Sequence, residues 1–259
     1  MRLYLAGLEG TIHYDNCSEY IHDIKDNLYW LSSFYYTRTH TKIREFINIC
    51  NKENFLLDSG AFTFRVHGLK NMDIDTYTQE YIDFINKYNI KYFFEMDIDF
   101  DEESYKKVLE LRNKIESGTG KKCIPVWHDT RGIEEWIDLI NNYDYVAIGG
   151  ITSTDGKKQE IVKKLISMAN KKKVKVHLLG YNRCDLLDFN AFSCDATSWN
   201  GGMYGGLWTW DVKKQRPKKQ NRRPERRVES SRQKELYLHN LKVWMHYQKV
   251  LRYKGFWRG

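Results

Sequence analysis

The chain has 259 residues, 41% hydrophobic and 15% aromatic, enough for one large core and too apolar for a disordered or fibrous class. No apolar run approaches the roughly 20 residues that span a bilayer, and no leader pattern opens the sequence, so a soluble cytoplasmic protein without membrane contact is expected. The net charge of +8 is split: Val212–Gly259 holds 16 Lys and Arg against three Glu, a net +13, which leaves the rest at −5.

Short apolar runs alternate with amphipathic stretches. Arg2–Leu5 reads as a strand, followed by a helix around Ser18–Asn27. Trp30–Ser33 precedes a helix over Thr41–Asn51, and Phe55–Leu57 precedes one over Asp73–Tyr88. In that last stretch Ile74, Tyr77, Tyr81, Phe84, Ile85 and Tyr88 recur at three- and four-residue spacing, as one buried helix face requires. Tyr92–Met96 is followed by Glu102–Ser117, Cys123–Trp127 by Gly132–Asn142, and Tyr145–Ile148 by Lys157–Asn170. Val174–Leu179 precedes a brief helix at Arg183–Leu187, and Ala191–Cys194 ends the series.

Eight strand–helix units predict parallel strands joined by crossovers, and favour a closed (β/α)8 TIM-type barrel, an α/β fold. The alternative is an open doubly wound sheet. It is weakened because Ala6-Gly7-Leu8-Glu9-Gly10, after the first strand, is only a weak approach to a phosphate-binding glycine pattern. The expected organisation is a barrel over 1–206 and a basic extension over 207–259. After the last strand Asn200–Gly206 reads as a flexible loop, and in the extension Lys213–Arg227 reads as extended or partly disordered and Ser230–Arg252 as a helix packing on the barrel. The basic charge, with Trp208, Trp210, Tyr237, Trp244, Tyr247, Tyr253 and Trp257 in or near it, points to a polyanion partner; the plain alternative is a solvated tail. Cys17, Cys50, Cys123, Cys184 and Cys194 show no CxxC spacing, which predicts free thiols in a reducing compartment and no zinc site.

In a parallel barrel, reactive groups collect at the carboxyl ends of the strands. Those ends here carry Asp58, Asp97 and Asp99, His128 and Asp129, Gly149 and Gly150, Gly180, and Asp195. Each has a structural explanation. Asp58 with Ser59 suits a helix N-cap, Asp97 and Asp99 suit caps for the Glu102 helix, and the glycine pair suits a tight turn. So many titratable groups on one rim instead favour a site, and two carboxylates facing one pocket suit glycosidic-bond chemistry.

Leu57-Asp58-Ser59-Gly60-Ala61-Phe62 resembles the Asp-Ser-Gly-Gly-Phe motif of tRNA-guanine transglycosylases. Val146-Ala147-Ile148-Gly149-Gly150-Ile151 resembles their Ile-Gly-Gly-Leu strand end, and Phe192-Ser193-Cys194-Asp195 the segment carrying their nucleophilic aspartate. Order and approximate spacing agree. Ala61 and Asp195-Ala196-Thr197-Ser198-Trp199 look closer to the relatives that place 7-deazaguanines in phage and bacterial DNA, which would set the protein in a host cytoplasm if it is phage-encoded. The Cys-x-Cys-x-x-Cys zinc cluster of the tRNA enzymes has no counterpart, since no cysteine follows Cys194. The resemblance therefore implies no zinc cofactor and favours DNA over tRNA as partner.

It also implies roles. Asp195 would attack C1′ of a target guanosine, and Asp58 would protonate the departing guanine and then deprotonate a free 7-deazaguanine such as the 7-cyano form. Such roles require a raised, tunable pKa at Asp58. Asp97, or else Asp99, would read the guanine N1–H and 2-amino edge, and His128 its carbonyl. Ser59, Gly60, Phe62, Gly149, Gly150 and Gly180 would line the base pocket, with Phe62, Trp127 or Tyr181 stacking on the base. Lys213, Lys214, Arg216, Lys218, Lys219, Arg222, Arg223, Arg226 and Arg227 would hold phosphates. Alternatives are the same exchange on tRNA, a barrel N-glycosidase with water as acceptor, and a non-enzymatic nucleic-acid-binding barrel. Oligomeric state is left open.

Overall fold

The computed structural model describes residues 1–67, 73–98, 102–150, 156–181, 186–204, 206–220 and 229–254. Seven parallel strands are β1 (Arg2–Ala6), β2 (Trp30–Ser33), β3 (Phe55–Asp58), β4 (Val126–Trp127), β5 (Tyr145–Ile148), β6 (Lys175–Leu178) and β7 (Ser193–Ala196), in the order β3-β2-β1-β7-β6-β5-β4. Phe93 and Phe94 join the two edges, Phe93 bridging Leu57 and Phe94 bridging Ile124. Four backbone hydrogen bonds of 2.8 to 3.1 Å make the join: Leu57 N–H to Tyr92 O, Phe94 N–H to Leu57 O, Ile124 N–H to Phe93 O, and Glu95 N–H to Ile124 O. The ring thus has eight strand positions, and the fold is an α/β barrel of TIM type. Pro125 has no N–H to give the ladder, so the expected Cys123–Trp127 strand shortens to a bridge at Ile124 and two residues of β4.

Because side chains alternate along a strand, each strand serves two cores. Tyr4, Leu31, Leu56, Phe94, Val126, Tyr145 and Ala147 belong to one buried cluster, which fills the barrel. Leu3, Leu5, Trp30, Phe55, Leu57, Val146, Ile148, Val176 and Cys194 belong to the other, facing the helices.

The outer helices are α1 (Thr11–Asp23), α2 (Phe34–Thr37), α3 (Thr41–Ile49), α4 (Ala61–His67), α5 (Ile74–Lys87), α6 (Glu102–Thr119), α7 (Gly132–Asn142) and α8 (Gly156–Lys171). The α1 helix starts well before the expected Ser18, since Tyr14, Cys17 and Ile21 already form its buried face. On α5, Tyr77, Tyr81, Phe84 and Ile85 are buried as their spacing demands. Tyr81 also donates to Phe94 O at 2.9 Å and Leu57 O at 3.3 Å, fixing the strand ends beside Asp58. Of the expected helix at Arg183–Leu187, 183–185 lie outside the described residues, and Leu186–Phe189 forms a 3-10 turn.

Beyond β7, Ser198–Tyr204 forms 3-10 turns where a flexible loop was expected. The described part of the expected extended segment belongs to a hairpin, β8 (Trp208–Asp211) antiparallel to β9 (Arg216–Lys219), and 221–227 lie outside the described residues. Its turn forms because Asp211 Oδ1 accepts Lys214 N–H at 3.0 Å and Gln215 takes φ +52°. Helix α9 (Ser230–Lys254) then packs on β1 and α1. Gln248 on it donates to Leu3 O at 2.8 Å and Tyr29 O at 2.7 Å. Cys17, Cys50, Cys123 and Cys194 are buried free thiols, and Cys184 lies outside the described residues. No described helix is long and apolar enough to cross a membrane.

Candidate active site at the carboxyl mouth of the barrel

Asp58 is the last residue of β3, two positions beyond the barrel-filling Leu56 and therefore on the same inward face. The chain then turns at Gly60, whose φ of +69° and crowding against Ser33 Oγ and Tyr35 leave no room for a side chain. Gly60 N–H donates to Asp58 Oδ2 at 3.0 Å. Burial pushes the Asp58 carboxyl up to about 7, opposed by that hydrogen bond and assisted by the negative charges of Asp195, Asp97 and Glu9. Carboxylates from three other strand ends thus act on Asp58 at one mouth. Glu9, on the loop after β1, has its own pKa raised by burial; it accepts from Ser32 Oγ and Ser33 N–H, both at 3.2 Å.

Asp195 lies on β7, which hydrogen-bonds to β1 so that Tyr4 pairs with Asp195. It is buried. Its Oδ1 accepts Gly180 N–H at 2.7 Å and sits 3.2 Å from His177 Nε2. Gly180 has φ +64°, which turns its N–H onto the carboxylate. Gly180, expected at the base, thus serves as a backbone donor to Asp195. Beneath Asp195, His177 Nδ1 lies 2.8 Å from Ser193 Oγ, and Ser193 Oγ lies 2.6 Å from the Tyr145 hydroxyl.

Asp97 follows the bridging strand at Phe93 and Phe94. His128, two beyond Val126 on the inward face, places Nε2 at 2.9 and 3.0 Å from its two oxygens. Arg131 Nη2 stands 3.6 Å away. Below them Glu95, fully buried, accepts Arg112 Nε–H at 2.6 Å and Val126 N–H at 2.7 Å. Gly149 abuts the imidazole: a Cβ there would come within 2.5 Å of His128 Cε1. Its bareness therefore seats His128, where a close approach to substrate was expected. Gly150 is exposed at φ +68°. An adjoining small cleft runs between the strand ends and α8, lined by Trp127, Gly149, Gly150, Ile161, Tyr181 and Phe189.

The remaining expected residues divide. Ser59 is buried, and its hydroxyl accepts Ala61 N–H at 3.4 Å, so it builds the turn rather than a pocket wall. Phe62 is 64% exposed on the rim, whereas Trp127 and Tyr181 are buried. Asp99 lies outside the described residues, as do Arg222, Arg223, Arg226 and Arg227. Lys213, Lys214, Arg216, Lys218 and Lys219 share the hairpin, and none forms an ion pair with a described residue.

Most of the aromatics counted with the basic tail do structural work. Tyr237, Trp244 and Tyr247 are buried, and Trp208 and Trp210 pack on α9, with Trp208–Trp244 centroids at 5.2 Å and Trp210–His246 at 4.3 Å. Trp208, Trp210, Trp244 and Tyr247 weld the hairpin to the helix, while Tyr237 packs against His13 and Trp199. Trp257 lies outside the described residues. Sequence reading missed His177, Ser193, Tyr145, Glu9 and Arg131. The available signal was a polar residue at an inward position of an otherwise apolar strand, as at His177. Among the described residues no group of three or more His, Cys, Asp and Glu is arranged to hold a metal ion.

Fold and site together define an α/β-barrel protein with a cluster of interacting carboxylates at its carboxyl mouth. No family model and no curated protein matches the chain. Among solved structures, it is similar to a protein of Coccidioides immitis assigned as a fructose-1,6-biphosphate aldolase. The TM-score is 0.56 at 9% identity, over 98% of this chain and 89% of that one, a likeness of fold alone.

Proposed function

We propose that the protein is a base-exchange transglycosylase, replacing guanine in DNA with a free 7-deazaguanine such as the 7-cyano form, as the resemblance of its motifs implies. One observation carries the reading. Asp58 and Asp195, far apart in sequence, repel one another across one barrel mouth, and Asp58 is tuned to about 7. A carboxyl that is half protonated at neutral pH can give a proton and take one back, as an exchange reaction needs.

The steps follow from the side chains. Asp195 attacks C1′ as the C1′–N9 bond breaks, the electron pair leaves with guanine, and Asp58 delivers its proton to the departing base. The incoming base then loses its N9 proton to Asp58 and attacks C1′, and the C1′–oxygen bond to Asp195 breaks. Two inversions give retention. Asp97, held by His128, has acceptor capacity left for guanine N1–H and the 2-amino group, a pairing that rejects adenine. Phe62, largely exposed at the rim, would stack on the base.

Nucleic acid fits the hairpin. A groove is lined by Lys214, Arg216, Lys218 and Lys219 with Trp208, Trp244 and Asp211, and Ser198, just beyond the strand of Asp195, is also in its lining. A phosphate backbone held there would offset the few kcal/mol spent in extruding the target base.

The test is a guanine-exchange assay with labelled guanine, offering DNA and tRNA side by side, for the parent and Asp195→Asn. Exchange into DNA, lost in the variant, is expected. Exchange into tRNA alone would overturn the DNA assignment. Release of base with no uptake would identify a glycosidase using water, and an active Asp195→Asn would remove the nucleophile.

A further inference from the structure

We infer that His177 is a positioning residue that determines which oxygen of Asp195 reacts: a buried relay from Tyr145 through Ser193 to His177 ties down Oδ1 and presents Oδ2. The inference rests on the transglycosylase reading for its kinetic consequence, but not for its structural one.

The donor directions follow from what each group can do. An Asp195 carboxylate oxygen only accepts, so the 3.2 Å contact places a proton on His177 Nε2. In a neutral ring Nδ1 is then an acceptor, so the Ser193 hydroxyl, 2.8 Å away, donates to it. Ser193 Oγ in turn accepts from the Tyr145 hydroxyl at 2.6 Å. Every proton in this chain has an acceptor. With a doubly protonated ring, Ser193 would have to donate to Tyr145 instead, and the buried tyrosine proton would lose its only acceptor among the described residues.

Packing leaves the imidazole little freedom. His177 is wholly buried, with the Tyr4 ring edge-on at 5.9 Å and Phe94 at 5.3 Å. The relay and the Gly180 N–H both converge on Oδ1, while Oδ2 accepts no hydrogen bond from a described residue. A carboxylate gripped by one oxygen and bare at the other is oriented for attack in one direction. His177 does not touch the substrate in this arrangement; it acts through Asp195.

The test uses the full chain labelled with 15N-histidine, and the variants Ser193→Ala, His177→Gln and His177→Phe. Long-range 1H–15N spectra of the parent should show a neutral Nε2–H imidazole that vanishes in His177→Gln. In Ser193→Ala that signal should become a mixture of tautomers, with kcat for exchange down about 10- to 100-fold, the range for losing an orienting partner of a reactive group, and KM within about twofold. His177→Gln keeps an N–H aimed at Oδ1 and should stay within about tenfold of the parent, while His177→Phe should fall further. An imidazolium or Nδ1–H signal in the parent would overturn the inference, as would a Gln variant as slow as Phe at equal thermal stability. Should His177→Phe fail to fold, the spectrum and Ser193→Ala still decide. A parent inactive in exchange with a neutral Nε2–H signal would defeat the proposed function and leave the relay standing.

Discussion

Replacing Asp58 by Asn removes a titration that the folded protein tolerates at a cost. The carboxyl ionises near 3.8 in an unfolded chain and at about 7 in the barrel mouth. Between those values the native state holds a proton that the unfolded state has released, so stability falls as pH rises from about 4 to about 7 and is level above. The rise from 3.8 to about 7 sets a ceiling of about 4 kcal/mol. Asp58 keeps some contact with solvent, which reduces the expected gain for Asp58→Asn to about 1–2 kcal/mol above pH 7. Asn retains an oxygen for Gly60 N–H, so the turn should persist. Urea melts of parent and variant at pH 4, 5.5, 7 and 8 measure the difference, which should grow with pH and then level off. Because Asp195 contributes to the shift, an Asp195→Asn background should move the midpoint of that growth to lower pH. A difference that stays flat from pH 4 to 8, or a variant less stable at pH 8, would refute the account of a desolvated, charge-crowded Asp58.

Gly149→Ala should force the His128 ring off Asp97 and cost about 1–3 kcal/mol in thermal unfolding, and the loss should largely disappear in a His128→Ala background, where no ring stands 2.5 Å from the new Cβ. Glu95→Gln should destabilise by about 3 kcal/mol in urea, since it removes the nearer counter-charge of the buried Arg112 guanidinium, now 2.6 Å from Glu95, and leaves it only the more distant Glu135 at 3.9 Å. Binding of single-stranded DNA, followed by fluorescence anisotropy across salt concentrations, should give a log–log slope near −3.5 if all five described hairpin cations meet phosphates, and Lys218→Ala with Lys219→Ala should flatten it by about 1.4. An unchanged slope would remove the hairpin from the interface.

All eight strand positions were legible because each is a short apolar run, and such runs depend only on neighbours in the chain. The buried face of α5 was legible for the same reason, since Tyr77, Tyr81, Phe84 and Ile85 mark it by spacing alone. Strand ends in a parallel barrel are chemically privileged, so Asp58 and Asp195 stood out before any coordinates. What the runs conceal is which side of each strand faces inward, because both sides are apolar: Leu56 fills the barrel and Leu57 meets the helices with equal hydrophobicity. His177 over Ser193, His128 on Asp97, and Glu9 acting on Asp58 depend on strand pairing between segments distant in sequence, and no local pattern encodes that pairing. The tail divides along the same line. Its charge is a property of composition, whereas the use of Trp208, Trp210, Trp244 and Tyr247 as packing arose only when α9 found a barrel wall to lie against, since burial is decided by what the rest of the chain brings near.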